Sequence, residues 1–196
     1  HSSNRRQRQM CIRDRHPDEY SHVAAARYYL NHWVPPKLDD PGVRATRSMY
    51  GFSYLDELDV IYLLQAKSYK VFHALTSDPT LSFRLLNFVF FCLIVVFALK
   101  RNLAPPYLIF FLSPQIWYIF SYCNADAFPF LLAFLINDIF ISFVEKKDFK
   151  SKKNFLFLGI LIALLLCSKR NYFVYLAYLV AISVWIFKKL ELDQKK

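Results

Sequence analysis

Long apolar runs dominate the second half of the chain and are separated by short polar connections. Spanning the hydrocarbon core of a bilayer takes about 20 helical residues, with a range of about 17–25. Because the runs are continuously apolar, they lack the alternation that membrane β-strands require. We therefore predict about five transmembrane helices, at 83–99, 103–122, 125–144, 154–168 and 172–187. The last two are short, and we expect them to tilt less or to lie in locally thinner bilayer.

The charges between these runs predict how the chain is oriented in the membrane. The connections after the first, third and fifth runs hold eleven lysines and arginines, whereas the other two connections hold only Lys169 and Arg170. Positively charged connections stay on the cytoplasmic side. We therefore expect a multi-pass protein of the inner or plasma membrane, with a basic cytoplasmic tail at 188–196 and with the segment 16–82 outside the cytoplasm.

The outer segment 16–82 is too polar to span the membrane and is predicted to be helical. Its first helix covers 17–33, since Pro17 suits the first helical position and two acidic residues follow at the positive end of the helix dipole. Its second helix covers 54–72, where an aromatic-rich stripe recurs at helical spacing. Such a stripe favours a location in the membrane interface or against the membrane helices. The fold class is thus all-α: an extracytoplasmic helical loop, then about five transmembrane helices over 83–187.

The first fifteen residues differ from the rest of the chain. The stretch RRQRQMCIRDR, residues 5–15, resembles one translated reading frame of a common sequencing adapter. We interpret 1–15 as such a sequence, which would remove +4 of the formal charge of +10 and start the natural chain no earlier than His16. The alternative is a native basic arm that binds nucleic acid or anionic lipid. On the adapter interpretation, no nucleic-acid partner is expected.

The composition agrees with a membrane protein. Hydrophobic residues make up 56% of the chain and aromatic residues 18%. A soluble domain is usually about half apolar, so this chain exceeds that content. No disulfide framework is predicted, because Cys11 lies in the adapter-like segment and the other three cysteines lie in or beside the apolar runs.

Three polar clusters fall on the predicted outer face, although they are far apart in sequence. The predicted topology puts all three at one depth, where they could form one site. The clusters are Asp18, Glu19 and His22; Asn124 and Asp126; and Lys169, Arg170, Asn171 and Tyr172.

Asp18 and His22 are the pair most suited to chemistry. They are four residues apart on the first predicted helix and therefore share a face. A carboxylate beside an imidazole can remove a proton from an acceptor hydroxyl or amine, or help to hold a divalent ion such as Mg²⁺ or Mn²⁺ beside a phosphate. The alternative is structural: Asp18 or Glu19 would stabilise the start of the helix, and His22 would be a surface residue.

Structural alternatives also stand for the other two clusters. Asn124 could cap the third membrane helix, and Asp126 could be the water-facing start of that helix. Lys169 and Arg170 could be anchors that extend toward water at the membrane end, or they could pair with a lipid phosphate. The sequence leaves both interpretations open for each cluster.

Three segments resemble the GT-C class of polytopic membrane glycosyltransferases. HPDEYSH, residues 16–22, resembles the acidic first-loop motif of that class, and most closely the P-D-E-x-x-H form of a bacterial family of predicted membrane proteins. NADAFPFLLAFL, residues 124–135, resembles the opening of a middle helix, and SKRNYFVYL, residues 168–176, resembles a later Lys-x-Asn-Tyr segment. The three matches occur in order and span most of 16–176.

This resemblance implies that a sugar is transferred, with inversion, from a polyprenyl-phosphate donor to a cell-envelope acceptor at the outer leaflet. Asp18 and Glu19 would be the catalytic acids, with Asp18 as the base or a metal-associated acid beside His22. It also implies that the chain is a fragment of a larger fold, with a further membrane helix before His16 and others after 187. Asn124 and Asp126 would be supporting residues. The lipid phosphate would be bound by Lys169, Arg170 and Tyr172.

Two other classes of function remain open from the sequence. A transporter or flippase-like protein would have acids or broken helices near the middle of the membrane, where this chain has Pro114, Gln115 and Asp138. A non-catalytic membrane protein would not bring the three polar clusters together.

Overall fold

The computed structural model describes residues 18–37, 40–47, 51, 53–55, 60–100, 110–146 and 152–194. Within these residues the protein is all-helical, and the only β-pairing is an isolated bridge between Arg47 and Ser53. The all-α class predicted from the sequence is therefore confirmed. The adapter-like segment 1–15 and the start of the second predicted span lie outside the described residues.

The chain divides into two compact units, His1–Phe128 and Pro129–Lys196, which are described separately. The helices of the chain are, in order, α1 (Glu19–Tyr28), a 3₁₀ helix (Pro41–Thr46), α2 (Val60–His73), α3 (Pro79–Lys100), α4 (Pro114–Ser121), α5 (Ala127–Lys146), α6 (Lys152–Leu166), a second 3₁₀ helix (Arg170–Tyr172) and α7 (Phe173–Gln194).

Helix α1 begins where the sequence predicts it but ends at Tyr28, five residues before the predicted end. The Lys67 ammonium explains this early end, because it donates to the carbonyl oxygens of Tyr29 (2.8 Å) and His32 (3.1 Å). It also lies 3.9 Å from the centre of the Trp33 ring. A cation at the last carbonyls of a helix stabilises its C-terminal end. Lys67 therefore fixes the turn that follows α1.

Helix α3 is, among the described residues, the one helix long and apolar enough to cross a membrane. It starts at Pro79, and the Asp78 carboxylate caps it by accepting from the backbone N–H groups of Thr80 (2.7 Å) and Leu81 (3.3 Å). One side of the helix exposes large apolar side chains from Leu81 to Leu99. At 1.5 Å per residue this strip is about 27 Å long, close to the roughly 30 Å thickness of a hydrocarbon core.

The second predicted span, 103–122, is not one continuous helix in its described part. Residues 110–112 are helical, Ser113 has an extended backbone, and α4 begins at Pro114. The residue before a proline is pushed away from helical geometry, which accounts for the break. The Trp117 indole N–H donates to the Phe111 carbonyl oxygen at 2.7 Å, and so satisfies one of the backbone groups beside the break. The prediction of a single helix over this run was wrong at that point.

The later predicted spans correspond to helices with similar limits. Helix α5 covers the third run, α6 the fourth and α7 the fifth. In α5 and α7 the apolar parts are Ala127–Phe143 and Phe173–Trp185. In the second unit, the Tyr175 hydroxyl donates to the Ala133 carbonyl oxygen at 3.0 Å, which ties α7 to α5.

Helix α2 packs antiparallel along the first part of α3. The contacts run in opposite order along the two helices: His73 meets Ser82, Tyr69 stacks on Phe83, and Gln65 bonds to Asn87. Ile61 and Tyr62 on the same side of α2 are fully buried. The outer segment is therefore packed directly on the beginning of the helix that could cross the membrane.

Asn124 determines where α5 begins, because its side-chain oxygen accepts from the N–H groups of Asp126 (2.8 Å) and Ala127 (3.1 Å). We predict that Asn124→Ala lowers the free energy of unfolding by about 1–2 kcal/mol, as loss of a helix cap does. Thermal unfolding in detergent measures this. The control is Asn154→Ala at an exposed position of α6, where a change within about 0.5 kcal/mol is expected. Equal effects of both variants would contradict the capping role.

Candidate functional site

Glu19 is buried in an ion pair that joins the outer segment to α3. Its two carboxylate oxygens accept from Nε and Nη2 of Arg84, each at 2.6 Å. The backbone N–H of Cys123 donates to the same carboxylate at 2.9 Å. The Glu19 side chain is 1% exposed and that of Arg84 is 27% exposed. Three distant parts of the chain therefore meet at one carboxylate.

This geometry satisfies the demands that a buried charge makes. A carboxylate removed from water is costly unless it is paired and hydrogen-bonded, and a planar guanidinium provides two parallel bonds. With both oxygens of Glu19 occupied, its carboxylate is held in place and is not directed toward a substrate. The sequence predicted Glu19 as a second catalytic acid, and the structure places it in this pair.

A buried amide network extends from the ion pair to the connection between α4 and α5. Gln65 donates to the Asn87 side-chain oxygen (3.2 Å) and to the Asn124 carbonyl oxygen (3.4 Å). Asn87 donates to the Tyr122 carbonyl oxygen at 2.6 Å. The Cys123 thiol donates to Gln65 Oε1 at 3.4 Å. The residues 122–126, which form this connection, are thus fixed against α2 and α3 by polar contacts.

His22 is a buried residue of α1, in contrast to the surface position considered from the sequence. Its Nδ1 lies 2.5 Å from the Tyr62 hydroxyl oxygen. Its ring stacks on Tyr54, with ring centres 4.2 Å apart. The imidazole therefore packs α1 onto α2 and supports the position of Tyr54.

Asp18 is half-buried at the start of α1. Its carbonyl oxygen accepts from the N–H groups of Ser21 and His22, but its carboxylate makes no capping bond to the helix. The structural alternative for Asp18, that its side chain caps α1, is therefore not what the structure shows.

Tyr122, in the connection that follows α4, lies within reach of the charges of two predicted site residues. Burial raises the pKa of the Tyr122 hydroxyl, and nearby groups raise it further, among them Tyr118, Asp126 and Asp18. Tyr122 also contacts Tyr118, with ring centres 5.1 Å apart. The first and second polar clusters predicted from the sequence therefore both act electrostatically on one tyrosine.

The third predicted cluster belongs to the second unit. Lys169 accepts a backbone hydrogen bond from Tyr172 and lies just before the 3₁₀ helix Arg170–Tyr172. Lys169 and Tyr172 are half-buried, and Asn171 is exposed. That this cluster joins the other two remains a prediction.

Sequence reasoning missed the residues that surround Glu19 and the connection 122–126, which are Arg84, Asn87, Gln65 and Tyr122. A signal for two of them was present, because Arg84 and Asn87 lie within an apolar run. An ionisable side chain inside such a run usually faces the protein interior and has a partner there. The identity of the partner, Glu19, depends on packing across 65 residues of sequence and has no local signature.

The described residues offer limited support for a metal ion. No group of three or more His, Cys, Asp or Glu side chains among them is placed to hold one. A divalent ion held by Asp18 and His22 remains a prediction.

Comparison with known proteins gives no relative on which to base an assignment. No protein-family profile, curated protein or solved structure matches the chain.

Removal of Arg84 tests the ion pair. We predict that Arg84→Ala destabilises the protein by about 3 kcal/mol, because it leaves the buried Glu19 carboxylate without its cation. Arg84→Lys should recover only part of this, since an ammonium cannot form both bonds of the guanidinium. Thermal unfolding in detergent provides the measurement, with Arg27→Ala on the exposed side of α1 as the control. If Arg84→Ala and Arg27→Ala unfolded at the same temperature, the ion pair would not contribute to stability.

The Cys123 thiol reports on the same contacts. It is fully buried, and burial together with the Glu19 charge raises its pKa. A raised pKa leaves less of the reactive thiolate at neutral pH. We predict slow maleimide labelling of a variant that keeps only Cys123 and fast labelling of one that keeps only Cys167, which is exposed. Adding Glu19→Gln should speed the first reaction and leave the second unchanged; equal initial rates would contradict the burial.

Proposed function

We propose that the chain is part of a polytopic membrane glycosyltransferase that transfers a sugar from a polyprenyl-phosphate donor to an envelope acceptor at the outer leaflet. Asp18 is the proposed base. The observation that carries this proposal is the arrangement at the start of α1: Asp18 has a carboxylate that does not cap the helix, and its charge, like that of Asp126, acts on Tyr122. The resemblance of HPDEYSH to the acidic first-loop motif supports the same residue.

The depth of this site suits a lipid-linked substrate. Arg84, which binds Glu19, follows Leu81 by three residues, and Leu81 begins the apolar exposed strip of α3. At 1.5 Å per residue the ion pair lies about 4.5 Å along the helix from the outer end of that strip. Asp18 directly precedes Glu19, so it lies close to the outer end of the strip if α3 crosses the membrane. A sugar attached to a lipid phosphate would be presented at that level.

The two adjacent acids have separate roles in this proposal. Glu19 holds α1 against α3 and against the connection 122–126, and it is therefore a positioning residue. Asp18 accepts the proton of the acceptor hydroxyl or amine as the new glycosidic bond forms. His22 is proposed to support the site by packing on Tyr54. Asp126 is proposed to help orient the acceptor.

The second-unit residues Lys169, Arg170 and Tyr172 are proposed to bind the phosphate of the donor. Charge-assisted hydrogen bonds to phosphate oxygens are stronger than neutral ones and would stabilise the phosphate as it leaves.

One observation bears on the alternative of a transporter or flippase-like protein. The helix break at Ser113–Pro114 resembles the interrupted helices of transporters. Such breaks bind substrate through exposed backbone and charged groups, but the sequence from Phe110 to Ser121 contains no charged residue. The acids Asp18 and Asp126 fall at the predicted outer end instead, which favours sugar transfer.

Replacement of Asp18 tests the proposed base. In the complete protein, Asp18→Asn should lower sugar transfer about 10²–10⁴-fold, the usual contribution of a general base. The folded state should persist, because the amide preserves shape and the Asp18 backbone contacts. Transfer of radiolabelled sugar from polyprenyl phosphate to envelope extract is the measurement, and protection of Cys123 is the check on folding.

Two matched variants make this test specific. Asp138→Asn in α5 removes an acid to which no role is assigned, so normal transfer is expected. Because Glu19 is proposed to be a positioning residue, Glu19→Gln should lose both sugar transfer and the protection of Cys123 from maleimide. Asp18→Asn with transfer equal to that of Asp138→Asn would show that Asp18 is not the base.

A further inference from the structure

The proposed function does not use one exposed surface of the segment 16–82. This surface is formed by Trp33, Val71 and Leu75, together with Lys70. We call it the α2 outer face. Trp33 is 72% exposed, Val71 65% and Leu75 75%. Exposed apolar side chains of this size in one place mark a contact with another molecule or with a membrane more often than a free surface.

These residues lie together because of the helix period. Lys67 and Val71 are four residues apart on α2 and share a side of the helix, and Leu75 follows one further turn along. The Trp33 ring is held at the same side by the Lys67 ammonium, 3.9 Å from the ring centre. The opposite side of α2, with Tyr62, Gln65 and Ala66, is buried.

The pairing of α2 with α3 gives the depth of this face. Tyr69 stacks on Phe83 and His73 bonds to Ser82, so Val71 lies level with the beginning of the exposed strip of α3 at Leu81. Lys67 lies between Gln65, which meets Asn87, and Tyr69, which meets Phe83. Trp33 is therefore level with residues 83–87. At 1.5 Å per residue this is about 3–9 Å inside the outer end of the strip.

We propose that the α2 outer face is inserted into the boundary between the headgroups and the acyl chains of the outer leaflet, with phospholipid as its partner. Tryptophan favours this layer because its ring is apolar and its N–H is polar. Lys70 is exposed on the neighbouring side of α2 and can pair with anionic headgroups. The inference rests on α3 crossing the membrane and not on sugar transfer.

The consequence would be a fixed height for the candidate site. Lys67 links Trp33 to the end of α1, and α1 carries Asp18 at its other end. Insertion of Trp33 and of the end of α2 would hold α1 at one distance from the lipid phosphates. A soluble partner protein on this face would impose no such height.

Fluorescence quenching by labelled lipids tests the inference. The protein is reconstituted into phosphatidylethanolamine–phosphatidylglycerol vesicles that contain a phospholipid spin-labelled either near the carbonyl or near the methyl end of its acyl chain. The difference between the unmodified protein and Trp33→Phe isolates the emission of Trp33 from that of Trp117 and Trp185. We expect the shallow label to remove a larger fraction of this emission than the deep label. Quenching by neither label, or stronger quenching by the deep label, would overturn the inference.

A second variant separates this result from the membrane crossing of α3. Phe88→Trp places an indole near the middle of the exposed strip, at a position that is 55% exposed. Added to Trp33→Phe, it should be quenched more by the deep label. If it is, and Trp33 is not quenched by the shallow label, α3 crosses the membrane but the α2 outer face does not enter the leaflet. If neither is quenched, the membrane crossing on which both proposals rest is wrong.

Discussion

The ion pair between Glu19 and Arg84 is the contact on which the rest of the first unit depends. It places a charged pair against a helix whose other side is apolar from end to end. Such a pair is tolerated only where every hydrogen-bonding group of the carboxylate is satisfied. The N–H group of Cys123 completes the set, so the connection 122–126 must be docked before the pair is fully formed. Folding of the outer segment and docking of that connection are therefore coupled.

The same coupling gives two neighbouring acids different environments. In a helix, consecutive residues point about 100° apart, so Glu19 can face α3 while Asp18 points in a different direction. Glu19 then has no oxygen left for chemistry, and Asp18 keeps a carboxylate that the helix does not use. The motif Asp-Glu thus combines an anchor and an open acid within one turn. Exchanging the order of the two residues would point the anchor away from Arg84.

The sequence was sufficient for features that depend on local pattern. The apolar runs predicted the helical class, and the limits of α3 and α5 to α7 follow them closely. Pro114 indicates the helix break in the second run. The break was not predicted because the run is continuously apolar. The end of α1 could not be predicted, because it depends on Lys67, 38 residues from Tyr29. The sequence predicted the acids of the candidate site but not the cation Arg84. The pairing of Glu19 with Arg84 depends on packing and not on spacing along the chain.

The burial of His22 also affects how the HPDEYSH stretch is understood. A histidine four residues after an aspartate suggests a catalytic pair, yet this imidazole is packed on Tyr54 and bonded to the Tyr62 hydroxyl. Tyr54 in turn contributes to the electrostatic surroundings of Tyr122, as Asp18 and Asp126 do. The histidine therefore contributes position and Glu19 contributes attachment, and the proposed role as base falls to Asp18.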